Sequence, residues 1–519
     1  MLDGGIGAGN DEDRRVNIDT KAVTVAYNFH PVERDQEFLL PTNMADWLPR
    51  DHFVYFLIDL VDQLDLTEFL TAYRPDGRGG AAYHPAMMVT LFAYAYCDGE
   101  RSSRRIEEHC RTDIAYRVIT GGRVPDHSTI SRFRDRHEKA FTAVFTPILG
   151  ICLEAGMGDV SLAAIDGSKF RCPASLRANR TRISIVKEIT RLTDDIETEL
   201  ARIITEILAE SRRADLTDDP LDGTPPAPRE PGTLPDIPGL PKKLHGKATR
   251  RARLVHARDT LDDGYHTECA GYDQRMAERA AREATTGKKT RGPKPQPPGR
   301  DPDKKINITD PDSRIMKSPH GNYLQGYNAQ NAVAADRLNL TADVVADEND
   351  THLLHPMIDH TGAALTAAGS DKTIDLYLAD SGYCTDAALA AIDPTGPRIL
   401  TATGKEHKTR RRATEDTVNE GPPPDGLTPR QKMEWHLGTA AGKAAYPRRA
   451  ATVEPVFGQH KHNRGFTHFL RAGLSAVNAE WKLMNATDNI SRLFRRLHTG
   501  EATPAWIRLA HLLEPPPAT

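Results

Sequence analysis

LAAIDGSKF (162–170) and IDLYLADSGY (374–383) decide how this chain is read. Each is an apolar run of strand length that reaches an acid, Asp166 in the first and Asp380 in the second. Short apolar runs bounded by turn residues read as buried strands. A third acid, Glu454, opens the helix-like stretch VEPVFGQHKHNRGF (453–466), with Lys461 seven residues on. Two carboxylates at strand ends and one on a helix can converge on a hard divalent cation, which takes oxygen ligands and keeps water or phosphate for its other positions. Phosphodiester cleavage at neutral pH uses such ions, two of them roughly 3.5–4 Å apart, to activate the attacking oxygen and stabilise the leaving one. The chain has 72 Asp and Glu, so each acid taken alone reads more simply as a turn cap.

The remaining sequence frames these runs as an α/β protein. At 519 residues, two or three domains are expected. Residues 1–30 are polar and Gly-rich, a loose tail. Residues 31–150 read as a helical domain, with helices at 53–64, 86–97, 102–110 and 128–137. In the last of these, Ile130, Phe133 and His137 share one face and Ser128, Arg132 and Asp135 another, with Asp126 or Ser128 as cap. A basic final helix carrying Arg132 and Arg136 suits a helix-turn-helix-like contact to DNA, although a purely structural cap fits the same pattern. Residues 151–500 carry the strands, interrupted at 175–300 by a helical and Pro-rich insertion. Within it, Ile185, Ile189, Leu192, Ile196, Leu200, Ile203 and Ile207 recur at helical spacing, as in a hairpin arm. The segment 220–241 reads as a linker, 242–261 as a basic helix, and TTGKKTRGPKPQPPGR (285–300) as a basic, extended, disordered loop. Strands are expected again at 326–335, 338–347 and 398–404, helices at 351–369, 454–464 and 474–497, and a tail at 501–519.

Charge distribution matters more than the net charge of −4. Residues 441–500 hold ten Lys and Arg against three acids, whereas 336–394 hold eleven acids against two bases. An acidic metal pocket beside a basic DNA-contacting surface produces such blocks, as do ordinary solvated helix faces. The six cysteines are scattered with no C-x-x-C pair, which suits reduced thiols in a cytoplasmic protein. The start carries DEDRR (11–15) and no apolar h-region, so no signal peptide is expected. The longest apolar run, AMMVTLFAYAYC (86–97), is too short to span a bilayer, and no membrane partner is expected.

Four separated motifs carry a family resemblance. They are AAIDGSKF around Asp166, NITDPDSRIMKSPHGNYLQGYNAQNAV (307–333), YLADSGYCT around Asp380, and YPRRAATVEPVFGQHKHNRGF (446–466). In this order they resemble a DDE-type bacterial insertion-sequence transposase with a Y-R-E-K-like signature. The stretches YHPAMMVTLFAYAYCDGERSSRRIEEHC and PDHSTISRFRDRH resemble the helical domain that precedes the catalytic core in that family, so the resemblance spans about residues 30–497. It implies an RNase H-like mixed sheet flanked by helices, Mg2+ dependence (with Mn2+ as a substitute), and cutting and joining of double-stranded DNA at terminal inverted repeats and a target. It also implies a homodimer on DNA, in the cytoplasm at the nucleoid.

Carried over residue by residue, Asp166, Asp380 and Glu454 match the metal-binding triad, and Tyr446, Arg449 and Lys461 match the Y, R and K. Four residues separate Arg449 from Glu454 where the signature has three, which would put the arginine at Ala450; Arg448 is the rival to Arg449. Lys461, and Arg464 three residues on, would place positive charge on the Glu454 face, where they can hold DNA phosphates. Asp310 and Asp312 read as a turn fixed by Pro311, Asn328 and Gln330 as strand residues near the site, and Trp481 as core. Two other functions share these features: an RNase H-like nuclease that cuts without joining, and a non-catalytic DNA-binding protein derived from a transposase.

Overall fold

In a computed structural model, the structure describes residues 43–73, 81–214, 241–290, 292–318, 321–404 and 418–499. The tails expected at 1–30 and 501–519, and all but the last residue of the 220–241 linker, lie outside the described residues. Chain contacts divide the protein after Trp47. The described part of the first unit is one turn of 3-10 helix, Met44–Asp46. All the elements from Phe53 onward belong to the second unit.

Before the first strand come α1 (Phe53–Asp62), α2 (Thr67–Leu70), α3 (Pro85–Cys97), α4 (Ser103–Thr112), α5 (Ile114–Thr120), α6 (His127–Arg136), α7 (Glu138–Ala143) and α8 (Phe145–Glu154). Local chemistry sets their ends. Pro85 stands at the start of α3, where its missing N–H costs nothing, and Asp126 accepts the Ser128 and Thr129 N–H groups at the start of α6.

The mixed sheet contains β1 (Ala163–Arg171), β4 (Arg314–Lys317), β5 (Tyr323–Ala334), β6 (Asn339–Val345), β7 (Leu376–Ala379) and β8 (Arg398–Thr401). β5 is the long spine. It pairs antiparallel with β1 along one edge and with β4 and then β6 along the other. β7 joins β1 in parallel, and β8 joins β7 in parallel. The fold is therefore mixed α/β. Helix α11 (Leu354–Ala367) links β6 to β7, and α12 (Asp386–Ala390) links β7 to β8. After β8 come α13 (Pro429–Gly438), α14 (Ala440–Ala445), α15 (Arg448–Gly458), a π-helical turn (Gln459–Asn463) and α16 (Leu474–His498).

Helix α16 binds the two halves into one core. It packs on α3, α7 and α8 on one side and on β6 on the other, so it is buried on most of its faces. Its expected apolar stripe is thus only part of what is enclosed. Asn485, Thr487, Asp488 and Asn489 are buried too, and each has a partner: Asn485 bonds Asn331 and His460, Thr487 donates to Met484 O, Asn489 bonds Asn339, and Asp488 accepts from Arg492. Trp481 is fully buried and donates its indole N–H to Asn331 Oδ1 at 2.9 Å.

The insertion is a helical hairpin. α9 (Arg182–Ala214) and α10 (Lys242–Thr286) pack side by side above a small sheet of β2 (Asn179–Thr181) and β3 (Lys305–Asn307). Ile185, Ile189 and Leu192 are buried against Leu254 and Ala257 of α10, and Ile196 is buried as well, whereas Ile204, Ile207 and Leu208 are exposed. The α9 stripe is therefore covered over its first half only. The basic helix expected at 242–261 runs to Thr286, and the described residues of 287–300 are extended chain that returns along it.

Candidate functional site

The parallel pairing of β1 and β7 assembles the site. Its last register pair is Ile165 with Ala379, so Asp166 and Asp380 stand side by side one step further on. α15 lies against β1 and brings Arg449 and Glu454 to the same place. The Arg449 guanidinium donates to Asp166 Oδ2 at 2.9 Å and reaches Glu454 Oε1 at 3.5 Å. It spans the two carboxylates, and the arrangement brings Asp166, Asp380, Glu454 and Arg449 together. Arg448, the alternative, is exposed.

The electrostatics ask for positive charge. Burial pushes the Asp166 carboxyl up to about 6; Arg449 opposes this and the neighbouring Asp380 adds to it. Asp380 is raised as well, first by burial and then by Asp350, while the Gly382 N–H, which it accepts at 2.7 Å, works the other way. The donor set is all carboxylate oxygen, the chemistry that suits Mg2+ and Mn2+. The residues present fit such an ion.

Asp350 is a fourth carboxylate that the sequence reading missed. It lies in the loop after β6, yet its Oδ1 accepts Asn328 Nδ2 at 2.8 Å and Gln330 Nε2 at 2.7 Å, both from the middle of β5. Gln330 also accepts the Tyr383 hydroxyl, which follows Asp380. Two glycines make the room. A Cβ on Gly167 would stand 2.1 Å from Gln330 Nε2 and 2.9 Å from Asp350 Oδ1, and one on Gly382 would stand 3.0 Å from Asp380 Oδ1 and 3.2 Å from Asp350 Oδ2. The G-x-N-x-Q alternation on β5, facing a D-G step on β1, is the one sequence signal that could have pointed to it.

Several expected positions differ. Glu454 does not open its helix. α15 begins at Arg448, and Glu454 sits in its second half with a side chain 61% exposed. Lys461 lies on a π turn, Gln459–Asn463, and not on a continuous α-helix. Its ammonium turns toward β1, donates to Ser168 Oγ at 2.6 Å and rests over the Phe170 ring at 4.5 Å. Arg464 does not extend an exposed basic face. It is buried and its guanidinium is engaged by Met484 O, Thr487 O and Oγ1, and Ser491 Oγ, all on α16. Tyr446 is half-buried and donates to Ala379 O, one residue before Asp380, which places it behind the carboxylates. Asp310 and Asp312 do form a turn, and they also accept the Gly473 and Leu474 N–H groups at the start of α16.

Arg132 and Arg136 are exposed on α6, while Ile130, Phe133 and His137 are buried. Arg132 folds back onto Ser128 of its own helix. Among the described residues, the group whose ligand atoms all lie within 4.8 Å of one another is Glu107, Asp126 and His127. Glu107 there accepts the His127 backbone N–H and pairs with Arg111, which ties α4 to the start of α6. Asp166, Asp380 and Glu454 are spaced more widely, with Arg449 reaching between two of them.

Two family models match separate segments of the chain. Residues 42–136 match the family model described as Transposase domain (DUF772), and residues 424–494 match that described as Transposase DDE domain. The second match contains Glu454 and Lys461; Asp166 and Asp380 lie outside both. Together the two matches support a DDE-type transposase. No curated protein and no solved structure matches the chain significantly. Among the described residues, no helix is long and apolar enough to cross a membrane.

Proposed function

We propose that this chain binds the terminal inverted repeats of a mobile DNA element and catalyses metal-dependent strand cleavage and strand transfer. The observation that carries the reading is the meeting of Asp166 and Asp380 on adjacent parallel strands with Glu454, held to Asp166 through Arg449. An RNase H-like core is part of the proposal. Its support is the strand order, an antiparallel half of β6, β5 and β1 continued by parallel β7 and β8.

Asp166, Asp380 and Glu454 would hold Mg2+, or Mn2+ in its place. The ion would supply a Lewis acid at the scissile phosphate and an activated oxygen nucleophile. The chain's own residues do the positioning. Arg449 offsets the paired acids, Tyr446 ties its helix to the strand end before Asp380, and Asp350 braces the Asn328 and Gln330 amides beneath the site. Lys461 sets a cation beside β1, where it can neutralise an entering phosphate. The exposed Arg132 and Arg136 are proposed contacts to the repeat ends, and pairing two ends calls for two active sites, hence a homodimer on DNA.

End-labelled duplex carrying the element's termini, incubated with the full chain and Mg2+, should give nicked ends and then products joined to a target. EDTA should abolish both. Nicking without joining would reassign the chain as a nuclease. Binding without nicking in either Mg2+ or Mn2+ would make it a non-catalytic DNA-binding protein.

A further inference from the structure

The C-terminal half of α10 and the chain after it form a second hairpin, made of helix and strap. α10 ends at Gly287 in the left-handed conformation, and the chain turns back along the helix through Pro293, Pro295, Pro297 and Pro298. Repeated proline favours extended chain with no internal hydrogen bonds, so something else must hold the strap. Arg279 does so: its guanidinium donates to Thr290 O at 2.7 Å, Pro293 O at 3.2 Å and Gly292 O at 3.3 Å. Glu283 accepts the Thr290 N–H at 2.9 Å. At the far end Arg300 pairs with Asp262 at 3.0 Å and lies over the Tyr265 ring.

The helix–strap hairpin is rich in positive charge. Where α9 and α10 pack together, three cations are matched, Arg182 with Asp262, Arg250 with Glu188 and Lys247 with Asp195, while Lys187, Arg191 and Arg253 are exposed. On the helix and strap Arg279 pairs with Glu283 and Arg300 with Asp262. Residues 271–300 hold eight Lys and Arg against three acids, in a chain whose net charge is −4, and 284–300 contain no acid at all. Arg275, Arg282, Lys288, Lys289 and Lys294 are exposed, and no described carboxylate lies within ion-pair distance of them. Arg279 and Arg300 are thus committed to holding the strap while its lysines stay open to solvent.

We propose that this helix–strap hairpin is a second contact to duplex DNA, binding the phosphate backbone without reading sequence. The ligand class follows from the chemistry: unmatched cations spaced along an extended, braced element suit a line of phosphates. The inference rests on the DNA-acting reading above and adds a surface outside α6 and the carboxylate site.

The test uses the full chain and the triple variant Lys288→Gln, Lys289→Gln, Lys294→Gln, titrated with a linear duplex over a range of salt. Each lost phosphate contact removes about 0.9 from the slope of log affinity against log salt, so the slope should become shallower by about 2–3 and low-salt affinity should fall about tenfold or more. Thermal melting should not change, since these side chains are exposed. Wild-type affinity and slope in the variant, with the wild type binding DNA, would overturn this inference alone. A wild type that binds no duplex would overturn the transposase reading with it. Loss confined to phosphatidylserine vesicles, with DNA binding intact, would assign the surface to membranes and overturn the proposal.

Discussion

Glu454→Gln should bind repeat ends as the wild type does and give neither nicks nor joined products. Asp166→Asn and Asp380→Asn should behave alike. A divalent ion contributes several kcal/mol to the transition state of phosphodiester cleavage, so misplacing it should cost about 10³-fold or more in rate. Folding should hardly register the Glu454 change, because that side chain is 61% exposed and its one described partner is Arg449 at 3.5 Å. Quantitative nicking in Mg2+ alongside a melting curve separates the two effects. Near-wild-type nicking by Glu454→Gln would show that the third carboxylate has been assigned to the wrong residue.

Glu480 should give the opposite result. It lies in the region of the DDE match and is acidic, but its side chain is fully buried and pairs with Arg101 at 2.8 Å, itself 6% exposed. Glu480 also accepts the Leu470 and Arg471 N–H groups, and Arg101 donates to His468 O and covers the Phe466 ring. The pair locks the helices before β1 to α16 and to the loop that precedes it. Removing one partner of a buried pair strands the other, at a cost of about 3–5 kcal/mol. Glu480→Ala should therefore lower Tm by several degrees and yet, at a temperature where it is folded, nick DNA in Mg2+. A variant that melts like the wild type, or one that is folded but inactive, would contradict this division of labour between the two glutamates.

How much of this was legible in the sequence depends on the range of the interactions involved. The strands at 163–171 and 376–379 were visible because each opens with a short apolar run that meets an acid and a turn-type residue. Their pairing was not, since it depends on segments some two hundred residues apart meeting at Ile165 and Ala379. The start of α15 was hidden because Tyr446-Pro447-Arg448 offers no side-chain cap. The π turn was hidden for a different reason. Its cause is tertiary: His460 is buried against Trp481 and bonded to Asn485, and that packing decides where Lys461 and Arg464 point. Asp350 shares its loop with Asp347 and Glu348, and only the side-chain amides of β5 single it out. Periodicity located the α9 stripe correctly but could not tell that it is buried only as far as Ile196.

The carboxylates gathered by β1, β7 and α15 should act together as a divalent-cation site. The direct measurement is Mn2+ binding to the full-length chain with bound DNA, read as loss of the free-ion signal by electron paramagnetic resonance. The wild type should take up Mn2+ in competition with Mg2+, and the Asp166→Asn, Asp380→Asn double variant should lose that uptake while still binding DNA. Equal Mn2+ uptake by the double variant and the wild type would contradict the account.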